Sequence, residues 1–437
     1  MNRIRKMVTA SIAALTTVTL LAACGGTSGS TAQESKPSSI TIWTYESADS
    51  AMGIAWKKAM TDFTAKTGIK VNYELKSFEQ LNANASQVLN SSSAPDVMEY
   101  NKGNATAGVL ASQGLLANLN KYVKQYGWNK IITGNLATTG KYSDKGVMGS
   151  GNWYGITSYG EDVFMYYNKS MFTKYGIAIP TTFDQLETAL AAFKAKGVTP
   201  LSEAAQEYPL GQLWWQLFLM KATESQINAY QMYTGDVNWN SAAMKFATNT
   251  INDWVAKGYI SKNSTGMKAQ DAGDSFTNGT NPMFFSGTWW FGTFESQLKN
   301  KFEWTTATFP GAERVPGSSG NIWVIPSNSK KQDAAAEFID YTLQPDIQTL
   351  MGNSGGVPIN ADLDKITDAK NQELLKQYKT VLNGDMLGYY PDWPTSTMYD
   401  DMNSALQNLV NGTTDTSQFL STLKTKYDKG VEAAGVK

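Results

Sequence analysis

The pattern of apolar and polar positions after residue 40 predicts a strand, a helix and a second strand. Residues 40–45 form a short, mostly apolar run, as in a buried β-strand, and residues 69–75 alternate between apolar and polar side chains, as in another strand. Between them, apolar residues recur at helical spacing up to Gly68, which favours a helix end. This order predicts two parallel strands joined by a right-handed crossover.

Similar patterns continue along the chain. Further strands are predicted at residues 96–98, 163–167 and 322–325. A capping box at residues 182–185 begins a helix that continues to Gly197, and further helices cover residues 334–342 and the C-terminal end, with a break at residues 411–412. The sequence therefore predicts an α/β fold in which ligands bind at the carboxyl ends of the strands.

The N-terminal residues have the pattern of a bacterial secretion signal. Basic residues precede an apolar run at residues 8–21, which is too short to span a bilayer. Residues 21–25 (LAACG) resemble a lipobox, the lipoprotein signal that is cut just before a cysteine, which then receives a diacylglyceryl group. Cys24 is the only cysteine of the chain, so it has no partner for an internal disulfide. We expect a signal peptide over residues 1–23 and lipidation of Cys24; the alternative is an ordinary cleavage site beside an unmodified cysteine.

Residues 24–39 are mostly small and polar, which predicts a flexible tether between the lipid and the folded part. Two acyl chains would hold the protein stably at a membrane. The expected location is therefore the extracytoplasmic face of the bacterial cell membrane.

The composition excludes several classes of function. The chain has 37 basic and 38 acidic residues and no basic block after the signal, which argues against a nucleic-acid partner. Histidine is absent, which removes His-based catalytic triads and the commonest metal ligand, although Ser–Lys and paired-carboxylate mechanisms stay open. We expect no metal and no cofactor. Aromatic residues make up 12% of the chain, and their ring faces suit the apolar C–H faces of sugars.

Several segments, in this order, resemble the family 1 extracellular solute-binding proteins of ABC importers, a group that includes maltodextrin-binding proteins. The segments are YGI at 154–156, YYNK at 166–169, PTTFDQL at 180–186, PMFFSGTW at 282–289, NIWVIPS at 321–327 and GGVP at 355–358. The resemblance implies a two-lobed α/β fold, about three chain crossings between the lobes, and a ligand cleft that closes by a hinge movement. It also implies a monomeric, non-enzymatic transport protein that passes its ligand to membrane permease subunits.

The implied lobes have approximate boundaries. The N-terminal lobe would cover residues 40–155, and the main part of the C-terminal lobe would cover residues 156–320. Residues 321–437 would contain a hinge strand and C-terminal helices that both lobes share.

Strand ends supply the first candidate ligand contacts, because loops at this edge bind ligands in α/β folds. Glu46 follows the first strand, and its carboxylate can accept two sugar hydroxyls. Lys76 and Phe78 follow the second strand. Asp96 and Asn101 accompany the third strand, and for Asp96 the cap of a turn is an equally good interpretation.

Other candidates come from the matching segments and from the tryptophans. Trp289 lies where the family has a sugar-stacking tryptophan, and Tyr159 lies near the family's hinge. Asn321 and Gly356 belong to two of the matching segments. Trp214 is adjacent to another tryptophan on a predicted helix, and two neighbours on a helix face about 100° apart, so at most one of them is expected to meet a ligand.

The loop at residues 389–394 (YYPDWP) is the most unusual segment of the chain. Its prolines stiffen a stretch with three aromatic rings and one carboxylate, which is costly to expose unless something packs on it. In related oligosaccharide binders this segment reaches into the cleft. Asp392 and Trp393 are therefore candidate ligand contacts, and packing between the lobes is the alternative.

Two other functions stay open besides an oligosaccharide-binding lipoprotein of an ABC transporter. A secreted glycoside hydrolase needs two carboxylates, one of them with a raised pKa, and Glu46 with Asp392 is a candidate pair. Alternatively, the same fold would bind a polyamine, a phosphate ester or a peptide. The aromatic excess favours a sugar, stacked between Trp289 and Trp393.

Overall fold

The computed structural model describes residues 36–436, so the predicted signal peptide, Cys24 and most of the predicted tether lie outside the described residues. The strands of the described part are β1 (Ser39–Thr44), β2 (Lys70–Leu75), β3 (Val97–Tyr100), β4 (Lys141–Tyr142), β5 (Asn152–Trp153), β6 (Ile156–Thr157), β7 (Gly160–Asn168), β8 (Leu201–Ser202), β9 (Met283–Gly287), β10 (Trp304–Ala307), β11 (Gly317–Ser319) and β12 (Ile322–Val324). They form two five-stranded sheets and one two-stranded pair.

The first sheet has the order β2-β1-β3-β12-β6. β1 pairs in parallel with β2 and with β3, which confirms the parallel pair that the sequence predicts. β12 returns from far along the chain and lies antiparallel between β3 and β6. β2 is an edge strand, and its apolar residues Tyr73 and Leu75 are 38% and 56% exposed. Its alternation therefore marks a strand but not a buried face.

The second sheet is built around β7, a nine-residue strand that is buried throughout. β10 and β9 flank it on either side, both antiparallel to it, and β8 pairs in parallel with β9. β11 pairs with the first residues of β7. β4 and β5 form the separate two-stranded pair.

The helices cover both sheets. They are α1 (Ala51–Thr67), α2 (Phe78–Leu89), α3 (Val109–Ser112), α4 (Asn120–Tyr126), α5 (Gly134–Thr138), α6 (Lys169–Tyr175), α7 (Phe183–Ala195), α8 (Pro209–Leu219), α9 (Glu224–Met232), α10 (Ala242–Ala256), α11 (Ala269–Thr277), α12 (Phe291–Leu298), α13 (Gln332–Thr342), α14 (Pro345–Asn353), α15 (Ala369–Asn383), α16 (Met398–Asn411) and α17 (Thr416–Ala433). Among the described residues, no helix is long and apolar enough to cross a membrane.

Local sequence signals explain where helices begin and end. The Ser50 hydroxyl accepts the backbone N–H of Gly53 and caps α1, and Gly68 ends this helix in the left-handed conformation, with φ of 76°. The predicted capping box between Thr182 and Gln185 is present at the start of α7. These ends confirm the sequence predictions for both helices.

The chain passes between the two sheets three times. It leaves the first sheet between β6 and β7 and returns between β11 and β12. It leaves again after α14, which packs on α1, to reach α15, whose Tyr378 and Val381 pack in cores beside the second sheet. Three passages agree with the two-lobed fold that the resemblance implies. The exact lobe boundaries stay a prediction.

Candidate ligand-binding site

A cavity of about 550 Å³ lies between the loops at the carboxyl ends of β1 and β3 and the segments that follow β8 and β9. Its aromatic side chains are Tyr45, Phe78, Tyr159, Tyr208, Trp289, Trp290, Tyr390, Trp393 and Tyr399. Its charged side chains are Glu46, Asp49, Glu79, Lys102, Glu161, Glu207 and Asp392. Its amides include Asn101, Gln212, Gln270, Gln297 and Asn321. Both sheets therefore contribute to one aromatic and acidic cavity.

Glu46 forms part of the floor, directly after β1 as the sequence predicts. Its carboxylate accepts a hydrogen bond from the Ser50 hydroxyl at 3.1 Å and lies 3.3 Å from the Tyr159 hydroxyl. The side chain is 8% exposed, and its burial raises the pKa of Glu46 to about 7. This group therefore changes its charge near neutral pH.

A second buried carboxylate, Glu99, lies behind Glu46 on β3. It accepts hydrogen bonds from the Thr44 hydroxyl at 2.5 Å and from the Tyr159 hydroxyl at 3.2 Å. Burial and the nearby Glu46 carboxylate raise the pKa of Glu99 well above its ordinary value. The Tyr159 hydroxyl has one proton to donate, but it lies beside the carboxylates of both Glu46 and Glu99. These two carboxylates are therefore fully hydrogen-bonded only when one of them is protonated or when another donor binds to them.

Lys102 connects the floor to the passages between the sheets. Its ammonium group forms a buried ion pair with Glu161 and donates to the Asn321 amide oxygen at 3.3 Å. The Asn321 amide nitrogen in turn donates to the Tyr159 hydroxyl at 3.1 Å. Tyr159 and Glu161 lie at the first passage and Asn321 at the second, so both passages meet under the cavity.

Trp289 is positioned by the short helical turn at residues 288–290 that follows β9. Its ring packs edge-on against Tyr208, with 5.8 Å between ring centroids, and lies over the backbone of Gly287. A Cβ atom on Gly287 would lie only 1.9 Å from the ring. Glycine at this position is therefore what allows the tryptophan to form this wall.

Trp393 forms another wall from the C-terminal loop. Its backbone carbonyl accepts the N–H of Ala105, at 2.8 Å, from a π-helical turn at residues 104–108. Its ring packs on Gly103, where a Cβ atom would lie 2.6 Å away and where φ is 107°. The loop from the second sheet is thereby seated on a segment that follows β3 of the first.

The loop at residues 389–394 is held by side chains from α8 and α9. Two of its backbone carbonyls accept hydrogen bonds from Tyr230 at 2.6 Å and from Gln231 at 2.7 Å. Tyr233 donates to a third carbonyl of the loop, and Trp215 donates at 3.0 Å to the carbonyl of Gly388, just before the loop. These bonds fix the loop's conformation and hence the place of Asp392, whose pKa burial raises to about 6.

The cavity is bridged at its rim by Glu79 of α2 and Tyr399 of α16. The Tyr399 hydroxyl donates to the Glu79 carboxylate at 3.0 Å. Burial raises the pKa of Glu79 to about 7. This bond therefore joins α2 to α16 at the cavity.

The structure brings together eight of the candidate side chains and leaves four elsewhere. The eight are Glu46, Phe78, Asn101, Tyr159, Trp289, Asn321, Asp392 and Trp393. Lys76 lies outside because it pairs with Glu74 at 2.6 Å and covers the Trp43 ring at 4.2 Å. Asp96 precedes β3 rather than following it, at the end away from Asn101, and pairs with Lys331 at 3.0 Å.

Trp214 and Gly356 also lie outside the cavity. The Trp214 ring is fully buried and donates to the Thr248 hydroxyl at 3.0 Å, and its neighbour Trp215 is equally buried. Neither tryptophan lines the cavity, so the geometry does not support Trp214 as a ligand contact. The backbone N–H of Gly356 donates to Met351, where it closes the end of α14.

Several lining residues have no counterpart among the sequence candidates. The most important are Lys102, Glu79, Tyr208, Gln212 and Tyr399. Lys102 directly follows the candidate Asn101, and its position after a strand was the signal that sequence reasoning passed over. Among the described residues, no group of three acidic, cysteine or histidine side chains is arranged to hold a metal ion.

Comparison with known proteins identifies the family. The chain matches the bacterial extracellular solute-binding proteins over residues 49–349, which is more than half of its length. The chain belongs to this family. The predicted membership is thereby confirmed, and the two sheets with three passages are the α/β fold expected of such a two-lobed protein.

This solute-binding protein resembles several proteins named for sugars. The diacetylchitobiose binding protein DasA of Streptomyces coelicolor is 23% identical to it, covering 85% of this chain and 86% of the relative. The multiple sugar-binding protein of Streptococcus mutans is 26% identical over 76% of each chain. In structure, a chitin oligosaccharide binding protein matches with a TM-score of 0.75 and 20% identity, covering 90% of this chain and 98% of that one. Both relatives are named as binding proteins, and the family is extracellular.

Proposed function

We propose that this solute-binding protein captures an oligosaccharide in the cavity and delivers it, unchanged, to the permease of an ABC transporter. A lipid on Cys24 would hold it at the outer face of the membrane. The observation that carries the proposal is the pair of tryptophans, Trp289 and Trp393, that line one cavity from different segments, over a floor of carboxylates and amides. Aromatic rings suit the C–H faces of sugars, and carboxylates and amides suit their hydroxyls.

The size and polarity of the cavity support a small organic ligand. Its volume of about 550 Å³ lies within the range of roughly 300–1,000 Å³ that is typical of ligand sites. The side chains that hold the floor are hydrogen-bonded to one another through Tyr159 and Asn321. A preorganised floor of this kind lowers the entropy that ligand binding costs.

Contacts across the cavity support capture by closure. Besides the bond between Tyr399 and Glu79, the Asn104 amide donates to the backbone carbonyl of Gln231 at 2.6 Å. We propose that these contacts break when the lobes open about the three passages, and that a bound sugar favours their formation. The relatives named for diacetylchitobiose and for multiple sugars support an oligosaccharide as the ligand.

The proposal is tested with a panel of di- to tetrasaccharides and a matched pair of variants. A sugar that binds the native state raises the melting temperature, and calorimetry then gives its Kd. Trp393→Ala removes a wall, and we expect it to weaken binding of that sugar more than tenfold, about 1.4 kcal/mol. Trp254→Ala is the control, because Trp254 is equally buried but outside the cavity. Equal loss of affinity in both variants would contradict the role of Trp393.

The absence of catalysis needs a separate measurement. Glu46 and Asp392 both line the cavity, which keeps the paired-carboxylate hydrolase as the competing function. Incubation of the protein with each sugar that binds should yield no new reducing ends. Turnover that disappears in Glu46→Gln would establish a hydrolase instead.

A further inference from the structure

The cavity has far more negative than positive side chains. Six carboxylates line it, and Lys102 is the one cation among the lining residues of the described chain. Lys102 is already bound, because it pairs with Glu161 and donates to Asn321. Any ligand therefore meets more carboxyl groups than the cations of the protein pair with, and these groups are either protonated or open to a cationic ligand.

Glu46 lines the cavity and Glu99 lies behind it without lining the cavity, and both side chains are buried. Within the described residues, no lysine or arginine lies within ion-pair distance of either carboxylate. The charged groups that act on Glu46 are Glu161, Lys102 and Glu99, and Lys102 is already paired with Glu161. Burying a carboxylate without a cationic partner is costly, so this pair either retains a proton or waits for a cation.

The unpartnered polar atoms of the cavity call for a ligand that both donates and accepts hydrogen bonds. The side-chain oxygen of Gln212 is buried, has no hydrogen-bond partner and can only accept. The Tyr45 hydroxyl and the indole N–H groups of Trp289 and Trp290 also have no partner and can donate. Sugar hydroxyls suit both kinds of atom, and the carboxylates of the cavity leave room for a further donor with a positive charge.

The cation would be organic rather than a metal ion. Among the described residues, no three acidic side chains are arranged to hold a metal ion. An ammonium group donates three hydrogen bonds, carries one positive charge, and is also attracted to aromatic faces. Tyr45 and Tyr159 line the same cavity as Glu46.

We propose that the cavity prefers saccharides that carry a protonated amino group, with the ammonium held against the Glu46 carboxylate at the floor. This inference rests on the proposed function and specifies the class of sugar. In the complex the ammonium replaces the proton that the Glu46–Glu99 pair otherwise retains. Binding of an amino sugar that is already protonated in solution therefore releases protons, whereas a neutral sugar leaves them in place.

The test compares two ligands that differ at the amino groups. The mature protein is titrated by calorimetry with the β-1,4-linked disaccharide of glucosamine and with its di-N-acetylated form, in two buffers of different ionisation enthalpy. The titrations are done at about pH 6, where both the amines of the free disaccharide and Glu46 are mostly protonated. We expect the free amine to bind at least tenfold more tightly and to release protons. In Glu46→Gln, which keeps the shape but removes the charge, the ratio of the two affinities should fall to within threefold.

Asp253→Asn is the control for net charge, because Asp253 lies on the exposed face of α10 and pairs with Lys257. It should preserve the affinity ratio. Equal binding of the two disaccharides, tighter binding of the acetylated one, or no proton release in the wild type overturns the inference while leaving sugar binding intact. Equally tight binding of putrescine, which has no sugar ring, also overturns it. Failure of every saccharide in the panel would instead reject the proposed function itself.

Discussion

Gly287→Ala is the sharpest probe of the Trp289 wall, because it adds one methyl group and removes no side chain that lines the cavity. The backbone of Gly287 is extended, with φ of −90°, so alanine is tolerated there without backbone strain. The new Cβ would lie 1.9 Å from the Trp289 ring, whereas ordinary carbon contacts begin at 3.4 Å. The ring must therefore move by roughly 1.5 Å.

The expected loss follows from the contact that the ring makes. A gap of about 0.5–1 Å already removes a quarter to a half of the attraction between two packed surfaces. Because aromatic stacking contributes about 0.5–1.5 kcal/mol, a displaced ring should weaken sugar binding by about 1 kcal/mol, roughly fivefold. The forced rearrangement should also lower the free energy of unfolding by about 1–3 kcal/mol.

Calorimetry with the tightest sugar of the panel gives the affinities, and denaturant unfolding confirms that the variant is folded. Gly266→Ala is the matched control, because no atom lies within 4 Å of the added methyl group and φ is unremarkable. It should bind with wild-type affinity. If Gly287→Ala also bound with wild-type affinity, Trp289 would have no role in holding the ligand.

Three further predictions concern the floor, the rim and the anchor. Burial raises the pKa of Glu46 to about 7, so its contribution to the free energy of unfolding is greatest below about pH 4.5 and is lost as the pH rises toward 7. Glu46→Gln should therefore gain stability relative to the wild type as the pH is raised from about 5 to about 8. An equal difference in free energy of unfolding between variant and wild type at these two pH values would contradict this. Tyr399→Phe removes the hydrogen bond to Glu79 and should weaken sugar binding by about threefold to tenfold. In X-ray scattering the free variant should have a larger radius of gyration than the free wild type. An unchanged radius of gyration and an unchanged affinity would show that this bond does not favour closure. Cys24→Ser should move the protein from the membrane fraction to the medium, and a variant that stays with the membrane would rule out the lipid anchor.

The elements that carry strong periodicity were predictable from the sequence. In β1, α1 and β7 the apolar residues that form the sequence pattern are the ones that the structure buries. Gly68 ends a helix because glycine adopts the left-handed conformation easily, and Thr182 begins one because its hydroxyl caps the first turn. The place of β12 was not predictable. Its partners β3 and β6 are distant in the chain, and nothing local determines which strand a returning segment will pair with.

Site residues that directly follow a strand were predictable from the sequence. Site residues whose place depends on a partner far away in the chain were not. Glu46 and Asn101 lie in the cavity because carboxyl ends of strands meet at one edge. Asp96 precedes its strand, so the same rule places it at the other end. Glu99 was missed because an acid within an apolar strand resembles an interruption of the pattern, and its partner Tyr159 lies 60 residues away.

The hydrogen bond between Tyr159 and Asn321 joins the first and second of the three chain passages at the floor of the cavity. If the protein binds its ligand by the proposed closure, the residues about which the lobes move are also residues that hold the ligand. A substitution here would alter stiffness and selectivity together, whereas a change at Trp289 or Phe78 would alter selectivity alone. Variants of this protein with new ligands, whether they arise by natural selection or by engineering as sugar sensors, should therefore differ at the walls and keep the floor.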